Sequence, residues 1–100
     1  MILYNVTVNV EKGIEENWVK WMKETHIPEI LATGLFHDYK MLRLLNETEG
    51  EGETYAIQYF TDGLDKLEQY MTKEAPRLRD EHNRKFQDKC LSFRTFLETV

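Results

Sequence analysis

Apolar and polar residues alternate over the first ten positions of the chain. Isoleucine, tyrosine and valine occupy the even positions from Ile2 to Val10, and the polar Asn5, Thr7 and Asn9 lie between them. A period of two residues is typical of a β-strand with one buried face. This segment is therefore predicted to form a strand whose apolar side meets a core.

The apolar spacing changes to that of a helix after Gly13. One broad apolar stripe consists of Ile14, Trp18, Trp21, Met22 and Thr25. Such intervals of three and four residues place side chains on one helical face. Pro28 disfavours helical geometry at the residue before it, so the first helix is predicted to end near His26. Residues 28–32 are predicted to start a short second segment.

Two further strands, a second helix and a last strand follow from the same patterns. Residues 35–45 and 54–61 are rich in apolar and aromatic side chains, and the acidic segment 46–53 with its two glycines indicates a turn between them. A second helix carries apolar residues from Leu64 onward, restarts at Pro76 and runs to Phe86. Alternation over residues 90–100 predicts the fourth strand.

The predicted order β-α-β-β-α-β defines an α+β fold of the ferredoxin-like type, formed as one domain by residues 1–100. Right-handed crossovers place both helices on one face of a four-stranded antiparallel sheet. We expect the apolar sides of the strands, including Leu91 and Phe93 of the last one, to meet the helices. The open face would then show Asn5, Thr7, Gln58, Ser92, Arg94 and Phe96.

Short, mostly uncharged side chains on an open sheet face suit a second copy of the sheet better than water. The sequence therefore predicts a homodimer with facing sheets, and a monomer with a solvated face is the alternative.

Charge and composition narrow the classes of partner and compartment. The net charge of −5 and the pI near 5.2 oppose attraction to phosphate, so no nucleic-acid partner is expected. No apolar run approaches the length of a membrane span, and the first residues lack a basic targeting region, which predicts a cytoplasmic protein that does not contact a membrane. The single cysteine, Cys90, is interpreted as a structural thiol.

Two histidines are the candidates for acid-base chemistry. His26 lies before Pro28, where a helix C-terminus would favour the imidazolium form. His82 lies between Leu78 and Phe86 at helical spacing, so it faces the same way as the apolar stripe. For each histidine the alternative is a purely structural role, as a cap for His26 and as a half-buried packing residue for His82.

Polar strand residues are the candidates for ligand binding. Arg43, Arg94 and Gln58 have polar head groups, and a guanidinium can hold a carboxylate with two parallel hydrogen bonds. Tyr59 and Asn5 complete the predicted ligand-binding set. Pairing of either arginine with a glutamate is the alternative. The three histidines lack metal-ligand spacing and no glycine-rich phosphate loop is present, so neither a metal nor a cofactor is expected.

Several segments resemble a bacterial family of small proteins known only as a domain of unknown function. These segments are Tyr4–Thr7, Trp21–Glu29, Thr33–Phe36, Tyr55–Phe60 and Phe93–Glu98. The stretch His26-Ile27-Pro28 is the most distinctive of them. The resemblance covers nearly the whole chain and implies no particular activity.

The predicted architecture is also similar to the dimeric α+β-barrel superfamily, which includes cofactor-free monooxygenases, haem-degrading enzymes and stress-responsive proteins. Its haem-degrading members use an asparagine on the first strand, a tryptophan at the end of the third and a histidine on the second helix. Asn5 and His82 match two of these positions, but Phe60 or Tyr59 stands at the third. Alternation also directs Asn5 away from the helices, which argues against haem degradation.

Three hypotheses for function follow. The first is a homodimer that binds a small molecule between sheet and helices, through some of His26, Arg43, Gln58, Tyr59 and His82. The second is a cofactor-independent enzyme, of monooxygenase or isomerase type, in which His26 or His82 acts as acid or base. The third is a protein-protein interaction module without catalysis.

Overall fold

A computed structural model describes residues 1–46 and 52–100. The strands are β1 (Ile2–Val10), β2 (Asp38–Arg43), β3 (Glu53–Thr61) and β4 (Cys90–Glu98). They form one antiparallel sheet in the order β2-β3-β1-β4. The predicted ferredoxin-like β-α-β-β-α-β fold is thereby confirmed. Most of the turn predicted over residues 46–53 lies outside the described residues.

The first helix continues through the proline that is predicted to end it. It consists of α1 (Glu15–Trp21), a π-helical turn (Met22–His26) and α2 (Ile27–Ala32). In the turn the Ile27 N–H donates to the Met22 carbonyl, five residues back. Because proline has no N–H and its ring crowds the carbonyl four residues before it, this wider turn lets the helix pass Pro28 unbroken. The prediction that the helix ends near His26 is therefore wrong.

The second helix repeats this construction. It consists of α3 (Leu64–Gln69), a π-helical turn (Tyr70–Glu74) and α4 (Ala75–Phe86), with Pro76 placed as Pro28 is in the first helix. Here the Ala75 N–H donates to the Tyr70 carbonyl. Within residues 1–46 and 52–100, no helix has the length and apolar character of a membrane span.

The core lies between the helices and one face of the sheet. Its largest fully buried side chains are Trp18, Ile27, Ile57, Tyr59 and Leu78. Directly opposite residues on paired strands share a face, and Tyr4 of β1 lies opposite Tyr59 of β3. Both tyrosines are buried, so this is the face that the helices cover.

The last strand is turned the other way from its prediction. Tyr4 pairs with Phe96 across the sheet, and their rings stack with centroids 5.6 Å apart, so Phe96 and Arg94 lie on the helix side. Leu91 and Phe93, which are predicted to meet the helices, point to the open face instead. Both sides of β4 carry apolar residues, so hydrophobicity alone does not orient this strand. Its register with β1 decides which side faces the helices.

Candidate functional site

A small cavity lies between the sheet and the two helices. Its volume is about 40 Å³, which is room for a few water molecules. The walls are apolar residues of β1, β3 and the first helix. The polar side chains that line it are Tyr4, His26, Tyr59, Tyr70, Arg79, His82, Asn83, Ser92 and Arg94. Three strands and the two helices thus bring histidine, arginine and tyrosine together in one half-enclosed space.

His82 is held in one tautomer by the first helix. The indole N–H of Trp18, at Nε1, donates to His82 Nε2 over 2.9 Å. Because Nε2 is the acceptor, the imidazole proton of the neutral ring lies on Nδ1. Burial lowers the pKa of His82, a hydrogen bond with Asn83 opposes this effect, and the positive charge of Arg94 lowers the pKa further. The ring is therefore neutral at pH 7.

His26 is the more deeply buried histidine, with 8% of its surface exposed. It ends the first π-helical turn, its ring stacks on Trp21 at 4.9 Å, and its centroid lies 5.7 Å from that of His82. Burial, His82 and Arg94 together lower the pKa of His26 to about 4. The expectation that a helix C-terminus favours its imidazolium form is wrong, because the helix does not end there. Its Nδ1 atom is buried and has no hydrogen-bond partner among the described residues.

Two arginines converge on the hydroxyl of Tyr4. Arg94 Nε donates to this oxygen over 3.0 Å, and Arg79 Nη2 lies 3.5 Å from it. Both side chains are half-buried, and in the described part of the chain neither forms a salt bridge with a carboxylate. Charges removed from water are normally paired. This end of the cavity is therefore cationic and rich in donors.

The tyrosines add neutral hydroxyl groups to this surface. Burial raises the pKa of Tyr59 and that of Tyr70 well above the ordinary tyrosine range, so both remain protonated at any physiological pH. Tyr70 packs edge-to-face on Phe36 and close to Tyr4. The aromatic rings form the rigid side of the site.

The structure brings together only some of the residues predicted to form the site. His26, Tyr59 and His82 line the cavity. Asn5 and Gln58 lie opposite each other on the open face of the sheet, where the Asn5 amide donates to the Thr7 hydroxyl over 3.0 Å. These two residues face away from the cavity, because both occupy strand positions that alternate with buried ones.

Arg43 lies outside the cavity at an exposed edge of the sheet. Its guanidinium carbon is 5.7 Å from the centroid of the Tyr55 ring, a cation–π contact. The cationic residue of the site that the sequence analysis missed is Arg79. It precedes His82 by three residues on α4, and side chains three apart share a helix face. That spacing is the signal that would have identified it.

The residues do not fit a haem site. Asn5 and His82 lie on opposite sides of the sheet, and His82 Nε2 already accepts the Trp18 hydrogen bond. A cavity of about 40 Å³ is also far smaller than a macrocycle. Among the residues that the structure describes, no group of three or more His, Cys, Asp or Glu side chains is arranged to hold a metal ion.

Solved structures similar to this chain share its fold at low sequence identity. An ethyl tert-butyl ether D (EthD) family protein of Bacillus halodurans is 18% identical, with a TM-score of 0.68 over 100% of both chains. A dimeric ferredoxin-like protein of an uncultured marine organism is 14% identical, with a TM-score of 0.67 over 99% of this chain and 94% of that chain. SnoaB of Streptomyces nogalater, a cofactor-independent oxygenase, is 12% identical, with a TM-score of 0.64 over 98% and 91%.

Identities this low establish the fold alone. No curated protein sequence matches the chain significantly. One family model does, and it covers every residue from 1 to 100: it describes a domain of unknown function, DUF4286. The chain belongs to the DUF4286 family.

Proposed function

We propose that the protein is a cytoplasmic homodimer that binds a small organic anion at the cavity between sheet and helices. One observation carries the proposal: Arg79 and Arg94 converge on the Tyr4 hydroxyl, half-buried and without a carboxylate partner in the described part of the chain. Two positive charges held close together in this way would be stabilised by a bound anion. The neighbouring histidines are neutral, so the positive charge of this site comes from the two arginines.

The size of the cavity limits which part of the ligand enters. Binding sites for whole organic ligands span roughly 300–1,000 Å³, whereas this cavity holds about 40 Å³. A carboxylate or enolate oxygen fits this volume, and Arg94 offers parallel donors for it. The rest of the ligand would extend past the half-buried arginines toward solvent.

The open face of the sheet supports the dimer. Leu91, Phe93 and Leu97 of β4 are 75%, 64% and 44% exposed, and Leu42 adds to the same face from β2. Soluble monomers rarely expose a large contiguous apolar patch, and a second sheet can cover this one face to face. In this dimer Asn5 and Gln58 would contact the partner rather than the ligand.

The anion proposal is tested with benzoate, and with benzyl alcohol as its uncharged counterpart. We expect benzoate, but not benzyl alcohol, to raise the melting temperature and to bind in calorimetric titration. Arg94→Gln and Arg79→Gln should each weaken benzoate binding at least about tenfold. Arg84→Gln is the matched control, since that side chain is 81% exposed and pairs with Asp80. Equal binding by all variants, or by the alcohol, would contradict the proposal.

A second function, proton abstraction by a cofactor-independent enzyme, is favoured by His26. Its buried Nδ1 atom has no hydrogen-bond partner among the described residues, and the ring lies near the cationic Arg94. A bound anion would offset the charge of Arg94 and raise the pKa of His26 toward neutrality. The imidazole could then take a proton from a carbon beside a carbonyl group, while the electron pair moves to the carbonyl oxygen near Arg94.

Phenylpyruvate offers a direct assay for this second function. It carries a carboxylate for the arginines and an acidic benzylic C–H, whose exchange with deuterium is followed by NMR in D₂O. We expect the protein to accelerate the exchange, His26→Gln to remove the acceleration, and the variant still to bind phenylpyruvate. Exchange at the same rate in both proteins would leave His26 a structural role only.

A further inference from the structure

A second, larger hollow lies outside the candidate site, between the start of the first helix and the end of the second. This groove has a volume of about 590 Å³ and is open to solvent. Its floor includes the rings of Trp21 and Phe86, which meet edge to face with centroids 5.4 Å apart. Neither the proposed anion site nor the proposed dimer interface uses this surface.

The two aromatic rings of the floor are held in place by contacts with the histidines of the inner cavity. Trp21 stacks on His26 at 4.9 Å, and Phe86 packs on His82 at 5.4 Å. A single layer of two rings therefore separates the groove from the inner cavity. Because these rings are already held in place, a flat molecule that packs against them orders no further side chains of the floor.

The rim of the groove is cationic in an acidic protein. Lys20, Lys85 and Lys89 line it together with one acidic residue, Glu24. The rim thus carries a local excess of positive charge, although the whole chain has a net charge of −5. An occupant that complements this surface combines a flat apolar body with a negative charge.

A strained turn holds two of the lysines on either side of Phe86. Gln87 (φ 32°) and Asp88 (φ 55°) both lie in the left-handed region without being glycine, a conformation that L-residues adopt at a cost. The turn is closed by the Lys89 N–H, which donates to the Phe86 carbonyl over 3.0 Å. This geometry keeps Lys85 and Lys89 next to the aromatic floor.

We infer that this groove binds a small aromatic acid, whose ring lies against Trp21 and Phe86 and whose carboxylate or sulfonate lies among Lys20, Lys85 and Lys89. The volume falls within the range of small-molecule sites, roughly 300–1,000 Å³. Its residues differ from those of the inner cavity, so the two sites are distinct.

The probe for this site is 2-naphthoate, with 2-naphthamide as its neutral counterpart. Trp21 reports binding directly, because Trp18 is completely buried and Trp21 is half-buried at the groove. We expect saturable quenching of tryptophan fluorescence by 2-naphthoate and a loss of that signal in Trp21→Phe. The double variant Lys85→Gln/Lys89→Gln should bind 2-naphthoate at least about tenfold more weakly, and 2-naphthamide with less than about a twofold change.

Two controls separate this inference from the anion site. Lys23→Gln, on the exposed side of the first helix, removes one lysine charge outside the groove and should leave binding unchanged. Arg94→Gln should leave the Trp21-dependent quenching unchanged, because Arg94 does not line the groove. Loss of 2-naphthoate binding in Arg94→Gln but not in the double lysine variant would place the probe in the inner cavity and overturn the inference. Absence of saturable binding at millimolar probe would overturn it as well.

Discussion

The two faces of the sheet carry apolar residues for different purposes. On the helix side Ile57 and Tyr59 are fully buried, whereas on the other side Leu91 and Phe93 stay largely exposed. The contrast is sharpest within β4, where the polar Ser92 and Arg94 point inward and leucine and phenylalanine point outward. The difference teaches that the residues on each side of β4 suit what that side faces. Its inner side lines a cavity, and its outer side provides the surface that we assign to a second subunit.

The largest difference between the faces should appear in the free energy of unfolding. Ile57→Ala removes a completely buried side chain and should lower this free energy by about 2–5 kcal/mol. Leu91→Ala, on the open face, is the control and should change it by less than about 0.5 kcal/mol at concentrations where the chain is monomeric. The measurement is urea denaturation followed by circular dichroism. Equal losses at the two positions would remove the distinction.

The buried side should also show a specific pH dependence through His26. Its pKa is lowered from 6.5 to about 4 in the folded protein. Between these values the unfolded chain binds a proton that the native state does not, so stability falls as the pH falls. The loss amounts to about 3 kcal/mol over the window.

Urea denaturation at pH 7 and pH 4.5 checks this dependence. His26→Leu should reduce the pH slope by about one proton between pH 6.5 and 4, and His82, whose pKa is also lowered, should account for a smaller remainder. His37→Gln, at an exposed position, serves as the control. An unchanged slope in His26→Leu would show that the native pKa of His26 is not depressed.

The open face is tested by placing a charge in its apolar patch on β4. Phe93→Glu should weaken dimerisation at least about a hundredfold, or about 2.7 kcal/mol, because each subunit would bury a charge in the apolar part of the proposed interface. Sedimentation velocity over a concentration series measures the change. Lys23→Glu, on the exposed side of the first helix, changes charge away from the sheet and should leave dimerisation intact. A parent protein that is monomeric, or a Phe93→Glu variant that dimerises normally, would contradict the proposed interface.

The smallest expected effect concerns a polar contact within the buried side. Trp18→Phe and His82→Leu in a double-mutant cycle should give a coupling free energy of about 1 kcal/mol, the usual contribution of a neutral hydrogen bond. The control cycle combines Trp18→Phe with Arg84→Gln. Arg84 lies on the solvated side of the helix that carries His82, so this pair should show no coupling. Zero coupling between Trp18 and His82 would mean that the bond does not fasten the helices together.

Much of the fold could be predicted from the sequence because most elements have one clearly apolar side. The alternation from Ile2 to Val10 and the helical stripe with Trp18 each specify both an element and its buried face. The last strand has no such side, since Leu91 and Phe93 compete with Phe96. Only its register with β1 decides the orientation, and register is a property of the assembled sheet.

One part of the site follows from residue spacing, and another depends on a local irregularity of the first helix. His82 and Arg79 share a helix face, so spacing alone places them together. His26 depends on the π-helical turn, which shifts the hydrogen bond of Ile27 from the fourth to the fifth residue back. A proline signals a helix end locally, and the packing of Ile27 and Ile30 into the core favours continuation instead.

The central position of β1 has a consequence for how the chain folds. Its partners are remote: Ile2 pairs with Thr61 on one side and with Glu98 on the other. Long loops must close before these contacts form, and such topologies fold slowly compared with helical bundles. Until β4 docks, β1 is an unpaired edge that can add strands from other chains. Because Arg94 arrives with β4, we expect the anion site to be completed only in the last step of folding, so that ligand binding reports on fully folded molecules alone.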